Sequence, residues 1–222
     1  MSLLPLFTAR AVLFDLDGTL ADTAPDLAAA VMLMQTQRKL ATTPFEQLRP
    51  HASAGARGLL AAGFGITPQE DDYAAMCAEF LHNYSNAICQ HSTLFDGITD
   101  LLHTIEQRGL AWGIVTNKHA RFTLPLVPLL GLNNAGCIIS GDTTAHAKPH
   151  PEPLFEAARQ LGVAPNECCY LGDDLRDIQA AQAAGMHSIA VTWGYAGKIE
   201  PCRWNADLIL ASPTDLFRFV QH

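Results

Sequence analysis

Short apolar runs alternate with longer segments of helical periodicity along most of the 222-residue chain. The apolar runs are rich in Val, Ile and Leu, which is typical of strands that a parallel sheet buries on both faces. They predict strands at 11–14, 111–115, 137–139, 168–171, 188–191 and 208–210. Helices are predicted at 98–108, 153–161, 178–184 and 214–220, and three of them are followed by a glycine suited to a left-handed terminal residue: Gly109, Gly162 and Gly185. This order of elements predicts an α/β fold.

One long segment, residues 22–91, departs from the alternation. It contains no β-like run, only helical patterns separated by prolines and glycines. Thr23 is expected to cap a helix over 24–38, with Asp26 completing a capping box. We therefore predict a helical insertion at 22–91, directly after the first strand, and a sheet-containing core made of residues 1–21 and 92–222.

Composition and charge narrow the class of partner. Fourteen Lys and Arg against twenty-two Asp and Glu give a formal net charge of -8, which disfavours nucleic acid and acidic membrane surfaces. No apolar run reads as a spanning helix, since the longest uncharged one is interrupted by prolines. The six cysteines form no CxxC pair, as is usual in a reducing cytoplasm. We expect a cytoplasmic monomer or homodimer that binds a small molecule.

Two carboxylates, Asp15 and Asp17, follow the first predicted strand. Ligands of open α/β sheets bind at the carboxyl ends of strands, so a site is expected here. Neighbouring carboxylates repel each other and need a cation or a proton between them. A single Asp-x-Asp is equally compatible with a solvated turn.

Further polar residues follow two other predicted strands, which favours the site over the turn. Lys148 lies in a loop before a helix, and Pro149 and Pro151 are expected to hold that loop extended. The residues at the other strand ends are Thr116, Asn117, Asp173, Asp174 and Asp177.

Four ordered segments resemble the four motifs of the haloacid dehalogenase superfamily. They are Asp15-Leu16-Asp17-Gly18-Thr19, Thr116-Asn117, Lys148-Pro149 and Gly172-Asp173-Asp174-Leu175-Arg176-Asp177. The resemblance spans nearly the whole chain. It implies a Rossmann-like core, a helical cap domain for an insertion at this place, and Mg²⁺-dependent phosphoryl transfer.

The resemblance also implies a role for each motif residue. Asp15 would attack phosphorus to form an aspartyl-phosphate, and Asp17 would act first as acid and then as base. Asp15, the main-chain carbonyl of Asp17, and Asp173 would hold Mg²⁺. The remaining motif residues would assist: Thr116 and the main chain of Asn117 by binding phosphoryl oxygens, Lys148 by neutralising charge, and Asp177 by orienting Lys148 or metal-bound water.

Asp174 and two residues of the insertion have open interpretations. Asp174 either caps the following helix or adds a water-mediated contact to the metal, and the cap is favoured. Arg57, close to Gly55 in a stretch of small residues, is suited to bind a carboxylate of the substrate. A surface position for Arg57 is an equally good interpretation.

Within the superfamily, the chain resembles the bacterial phosphoglycolate phosphatase group and its N-acetylmuramic acid 6-phosphate phosphatase branch. Both substrates carry a carboxylate. Asp17 disfavours dehalogenation, which needs no leaving-group acid. Sugar-phosphate mutases share the four motifs and stay possible, as does a non-catalytic protein that binds a phosphorylated metabolite. The complete set of catalytic residues favours an enzyme.

Overall fold

The computed structural model describes residues 7–195 and 200–221. The strands within these residues are β1 Phe7–Thr8, β2 Ala11–Phe14, β3 Ala21–Asp22, β4 Thr93–Leu94, β5 Ala111–Val115, β6 Ile138–Ile139, β7 Cys168–Gly172, β8 His187–Val191, β9 Leu208–Leu210 and β10 Val220–Gln221. The α-helices are α1 Ala24–Gln37, α2 Phe45–Leu48, α3 Gly55–Phe64, α4 Tyr73–Asn86, α5 Ile98–Gln107, α6 Ala120–Leu129, α7 Glu152–Leu161 and α8 Leu175–Ala184.

Six strands form one parallel sheet in the order β6-β5-β2-β7-β8-β9. The first long strand, β2, lies between β5 and β7, and Phe14 at its end is level with Ile114 and Leu171. The carboxyl ends of these three strands therefore meet at the middle of one sheet edge. The predicted α/β class with a mostly parallel sheet is confirmed.

Successive residues of the central strand pack on opposite faces of the sheet. Val12 and Phe14 belong to an apolar cluster with Trp112, and Leu13 belongs to a second cluster with Tyr170. All four residues of β2 are fully buried. Burial on both faces explains why the strands appear in the sequence as continuous apolar runs rather than as alternating ones.

Residues 24–86, which contain the four helices α1–α4 and which we call the helical unit, have an apolar cluster of their own. Two residues outside this unit, Phe122 and Tyr195, complete that cluster. The chain leaves the sheet through β3 and returns through β4, and these two short strands pair antiparallel. Exit and return thus lie side by side. None of the helices among residues 7–195 and 200–221 is long and apolar enough to cross a membrane.

The helix start at Thr23 differs from the sequence prediction. The helix begins at Ala24 as expected, but the Thr23 side chain makes no capping hydrogen bond. Its hydroxyl instead donates to Asp17 Oδ1. Asp26 accepts from the main-chain amides of His91 and Ser92 and from the Ser92 hydroxyl, where the chain returns to the sheet. The capping box was wrong because tertiary partners bind both side chains.

Two further differences concern the prolines and the C-terminal segment. Helix α6, for which no helix was predicted, contains Pro125 and Pro128. Both prolines are on the exposed side while Phe122 and Leu126 face the interior, so the missing amides fall where water replaces them. The helix predicted at 214–220 is instead a 3₁₀ helix, Pro213–Arg218, followed by β10, which pairs with β1.

Candidate active site

The polar residues predicted at the strand ends do lie together at one sheet edge. Asp15 directly follows β2, Thr116 follows β5 and Asp173 follows β7, and all three are buried. The Asp15 amide donates to Leu171 O at 2.9 Å, and the Thr116 amide donates to Ile139 O at 2.9 Å. The sheet ladder therefore continues one residue past each strand and fixes where these side chains start.

Lys148 is the centre of the buried charge network at this edge. Its Nζ lies 3.0 Å from Asp15 Oδ1 and 2.7 Å from Asp177 Oδ1, and it donates to the Tyr170 hydroxyl at 2.6 Å and to Val115 O at 2.9 Å. Only 2% of its side chain is exposed. Burial lowers the pKa of Lys148, but the two carboxylates outweigh it and raise that pKa above its ordinary value. Lys148 is therefore a fixed cation.

Asn117 holds the backbone of Lys148. Its Nδ2 donates to Lys148 O at 2.9 Å, and its Oδ1 accepts from Lys148 N at 3.0 Å. The loop is not extended as expected: the Lys148–Pro149 peptide bond is cis, and His150 N donates to Ala147 O at 3.0 Å, which closes a turn. The expectation weighed the prolines alone and not the side-chain amide that binds Lys148.

Three carboxylates, those of Asp15, Asp173 and Asp177, have oxygens within 4.8 Å of one another and all are buried. Burial raises the pKa of Asp15 to about 7, opposed by Lys148 and assisted by Asp177 and Asp17. Burial and the charges of Asp15 and Asp177 also raise the pKa of Asp173 well above its ordinary value. The cluster therefore carries uncompensated negative charge that a cation would relieve.

The residues present fit a small divalent cation. The donor set is made of carboxylate oxygens, which Mg²⁺ prefers. Gly18 and Gly194 let the backbone lie close to the Asp173 carboxylate. A Cβ at position 18 would lie 2.1 Å from Asp173 Oδ2, and one at position 194 would lie 2.5 Å from it. Tyr195 N donates to the same oxygen at 3.0 Å and Thr19 Oγ1 donates to Oδ1 at 3.3 Å, so Asp173 is oriented. The side chain of Asp17, expected near the metal through its carbonyl, is not part of the cluster.

The Asp17 carboxylate points toward the helical unit instead. Its Oδ1 accepts from Lys118 Nζ at 2.9 Å and from the Thr23 hydroxyl. The Lys118 ammonium also lies 4.8 Å from the centre of the Tyr84 ring, in helix α4. Burial opposes the charge of Lys118, but Asp17 raises its pKa above the ordinary value. Lys118 thus joins the second carboxylate of the first motif to the helical unit.

A cavity of about 350 Å³ lies between the sheet edge and the helical unit. Its polar wall belongs to the sheet edge and comprises Asp15, Asp17, Thr116, Asn117, Lys118, Lys148, Asp174, Arg176 and Asp177. Its opposite wall belongs to the helical unit and comprises mainly Leu27, Phe80, Leu81, Tyr84 and the small residues 52–56. Of the motif residues that were given a role or an interpretation from the sequence, all but Asp173 line this cavity.

The two residues expected to set specificity have different positions. Gly55 lines the cavity at the start of α3, with a φ of 57°. Arg57 is exposed and is not among the described residues that line the cavity. Arg176 lines it instead: its guanidinium binds Asp174 at 2.8 Å and 2.9 Å and donates to Ser53 O at 2.8 Å, across the two walls.

Asp174 caps helix α8, as the preferred interpretation held. Its Oδ1 accepts from Arg176 N at 2.9 Å, and Asp177 Oδ2 accepts in return from Asp174 N at 3.1 Å. Asp177 therefore serves both the helix start and Lys148.

Sequence reasoning did not identify Lys118, Tyr170, Tyr195 or Arg176 as part of the site. Lys118 directly follows the Thr116-Asn117 motif, and Arg176 lies between Asp174 and Asp177, so proximity to a motif was the available signal. Tyr170 and Tyr195 carry no such signal, because their contacts depend on strand register and on the path of the loop after β8.

The fold, the four motifs at one sheet edge and the helical unit after the first strand define a hydrolase class. Residues 12–191 match the model of the haloacid dehalogenase-like hydrolase family, and the chain belongs to that family. It is 46% identical over 210 residues to a phosphoglycolate phosphatase of Xanthomonas campestris pv. campestris strain 8004, covering 94% of this chain and 95% of the relative.

Two other similarities bear on substrate and fold. The chain is 40% identical over 213 residues to an N-acetylmuramic acid 6-phosphate phosphatase of Pseudomonas putida strain KT2440, covering 95% of this chain and 96% of the relative. The crystal structure of a predicted phosphoglycolate phosphatase from Haemophilus somnus 129PT superposes with a TM-score of 0.83 at 24% identity, covering 95% and 97% of the two chains. The last similarity concerns the fold alone.

Proposed function

We propose that the chain is a Mg²⁺-dependent phosphatase that hydrolyses a small phosphorylated metabolite through an aspartyl-phosphate on Asp15. The observation that carries this proposal is the position of Lys148, buried between Asp15 and Asp177 at the floor of the cavity. A fixed cation beside a carboxylate nucleophile is the arrangement that phosphoryl transfer requires, since charge stabilisation dominates that reaction.

Asp15 attacks phosphorus, and the bond from phosphorus to the substrate oxygen breaks. Asp17 donates a proton to the departing oxygen and then removes one from the water that hydrolyses the aspartyl-phosphate. The Lys118 ammonium and the Thr23 hydroxyl hold its carboxylate in position for both transfers. Thr116 and the main chain of Asn117, which line the cavity, are placed to bind phosphoryl oxygens.

Asp15 and Asp173, with the main-chain carbonyl of Asp17, would hold Mg²⁺, and Asp177 is close enough to contribute a carboxylate or a water contact. When bound, Mg²⁺ supplies the positive charge that keeps these buried carboxylates ionised and neutralises the phosphoryl group.

We propose that residues 22–91 act as a cap domain on a core of residues 1–21 and 92–222. The separate apolar cluster of the helical unit and the pairing of β3 with β4 at its base support this division. Closure of such a cap excludes water while the ester bond breaks.

The substrate candidates are 2-phosphoglycolate and N-acetylmuramic acid 6-phosphate, the compounds after which the two relatives are named. The cavity volume of about 350 Å³ favours the amino sugar. Pockets of about 300 Å³ and more enclose ligands the size of that sugar phosphate, with about 24 non-hydrogen atoms, whereas phosphoglycolate has about 9 and leaves most of the space to water. We place the enzyme in a reducing compartment, the cytoplasm, as its cysteines are unpaired.

The test is release of inorganic phosphate by the purified chain from both candidates and from hexose and nucleoside monophosphates. Activity is expected to disappear with a chelator and to return with Mg²⁺. N-acetylmuramic acid 6-phosphate is expected to have the highest kcat/KM. Asp15→Asn is the matched control, because it changes one atom and keeps the volume.

Two alternatives predict other results in the same assay. A mutase would convert one sugar phosphate into another without release of phosphate, which phosphorus NMR detects. A non-catalytic binder would raise the melting temperature with a phosphorylated ligand and show no turnover. Either result would replace the phosphatase proposal.

A further inference from the structure

A second group of side chains that could bind a metal ion lies outside the cavity, on the outer surface of the loop that carries Lys148. His146, His150 and Glu152 each offer a donor atom, and these three atoms lie within 4.8 Å of one another. All three side chains are substantially exposed. None of them is among the described residues that line the cavity.

The donor spacing is close to that of a tetrahedral site. Glu152 Oε2 lies 2.7 Å from His146 Nδ1 and 3.9 Å from His150 Nδ1, and the two imidazole rings stack with centroids 4.3 Å apart. With metal–ligand bonds of about 2.0–2.1 Å, adjacent donors of a tetrahedral site are about 3.3 Å apart. The two observed distances lie on either side of that value, and metal binding would replace the 3.2 Å hydrogen bond that the Glu152 amide donates to His150 Nδ1.

The backbone beneath these side chains is already fixed. Asn117 binds the main chain of Lys148 on both sides, and His150 N donates to Ala147 O at 3.0 Å. The Thr144 hydroxyl donates to His146 O at 2.8 Å. Because the loop is held from inside the molecule, bringing the three donors together costs little backbone entropy.

We propose that His146, His150 and Glu152 form a binding site for Zn²⁺, with the fourth position open to water. Two imidazole nitrogens and one carboxylate are a borderline donor set that favours Zn²⁺ over Mg²⁺, whereas the buried carboxylates at the sheet edge favour Mg²⁺. The two sites are thus separated by ligand chemistry as well as by place.

The experiment uses the untagged full chain, stripped with a chelator and then kept in millimolar Mg²⁺ so that the carboxylate site is filled. Co²⁺ is titrated as a spectroscopic substitute for Zn²⁺, and Zn²⁺ affinity is measured by competition with a chromogenic chelator. One equivalent of Co²⁺ with the visible absorption of a nitrogen-ligated tetrahedral ion is expected. The double substitution His146→Ala/His150→Ala is expected to abolish that spectrum and to weaken Zn²⁺ binding at least about a hundredfold.

The matched control is His82→Ala/His103→Ala. These histidines are also exposed, and each ring contacts one amide side chain four residues further on, that of Asn86 or Gln107. The control is expected to bind Co²⁺ as the unchanged chain does, with equal melting temperatures for all variants. The proposal is overturned if the chain binds no Co²⁺ under these conditions. It is also overturned if the His146/His150 variant keeps the spectrum, or if Asp15→Asn removes it.

Discussion

The two walls of the cavity differ in how their polar groups are satisfied. On the sheet-edge wall, Lys148 and Asp177 are fully buried and each has several charged or hydrogen-bonding partners. On the wall of the helical unit, the lining is apolar or small, and the Tyr84 hydroxyl has no hydrogen-bond partner among the described residues. The first wall is organised by paired charges before a ligand binds, and the second is organised by apolar packing.

This difference assigns separate tasks to the walls. A set of paired charges that cannot rearrange favours the transition state of one reaction, whichever ester enters. A wall of Leu27, Phe80 and small residues selects by shape. Substitutions on the sheet edge are therefore expected to change kcat, and substitutions near the helical unit to change KM.

The largest effect is expected from Asp15→Asn, which removes the nucleophile but keeps the volume of the side chain. We expect kcat to fall at least about 10⁴-fold, the scale seen when a nucleophile is lost. Single-turnover phosphate release with the preferred ester measures it. A loss of tenfold or less would show that Asp15 is not the attacking group.

Lys148→Met is expected to follow, with a reduction in kcat of about 10²–10³-fold from the lost charge stabilisation. It also leaves Asp15 and Asp177 buried without their cation, which is expected to lower the free energy of unfolding by about 3 kcal/mol. Urea denaturation in the absence of divalent metal measures the second effect. An unchanged free energy would mean that water enters this edge of the sheet.

The pH dependence of stability tests the crowding of the carboxylates. Burial raises the pKa of Asp15 from 3.8 to about 7, so between these values the folded chain holds a proton that the unfolded chain has lost. The free energy of unfolding of metal-free protein is therefore expected to fall as pH rises through that window, by about 4 kcal/mol.

Asp15→Asn is the control for this pH dependence. It should show a smaller decrease and, above pH 7, a metal-free melting temperature higher by about 2–4 °C. A wild-type free energy that instead rises across the window would contradict the raised pKa of Asp15.

The smallest effects are expected where the walls meet. Arg176→Ala removes the guanidinium that lines the cavity and donates to Ser53 O. We expect KM for a carboxylate-bearing ester to rise about tenfold with kcat within about threefold, because a charge that binds the substrate but not the transferring group contributes to both states equally.

Arg57→Ala is the matched comparison, since it also removes one arginine near the small residues 52–56. Because Arg57 is exposed and outside the cavity lining, we expect KM to stay near the wild-type value. The free energy of unfolding is expected to change by no more than about 0.5 kcal/mol. Steady-state kinetics of the two variants side by side decides between them. The reverse result would return the specificity role to Arg57.

The sheet and the residues at its edge were predictable because strict rules connect them to the sequence. Continuous apolar runs identify strands buried on both faces, and the residue after each run must lie at the carboxyl edge. Asp15 and Thr116 followed from that rule alone, and Asp173 lies two residues after the run that was predicted to end at Leu171. Their mutual distances did not, because the order of strands in the sheet decides which ends are neighbours.

The sequence did not indicate in the same way which arginine, Arg57 or Arg176, lies at the cavity. Arg57 lies in a stretch of small residues and Arg176 lies between Asp174 and Asp177. Only the packing of the helical unit against the sheet edge determines which of the two reaches the cavity. Helix α6 shows that position in the fold can outweigh a local preference. Proline disfavours a helix interior, but the helix forms because Pro125 and Pro128 both lie on its exposed side.

Tyr195 has contacts with both the base of the helical unit and the carboxylate cluster. Its hydroxyl accepts from the amides of Thr23 and Ala24, where the chain enters α1, and its own amide donates to Asp173. Any rotation of α1 about the β3–β4 pair thus changes either these hydrogen bonds or the position of Asp173. For the proposed cap and metal site, closure of the cavity and affinity for the cation are therefore thermodynamically linked. By reciprocity, cation binding must bias the helical unit toward one orientation by the same free energy.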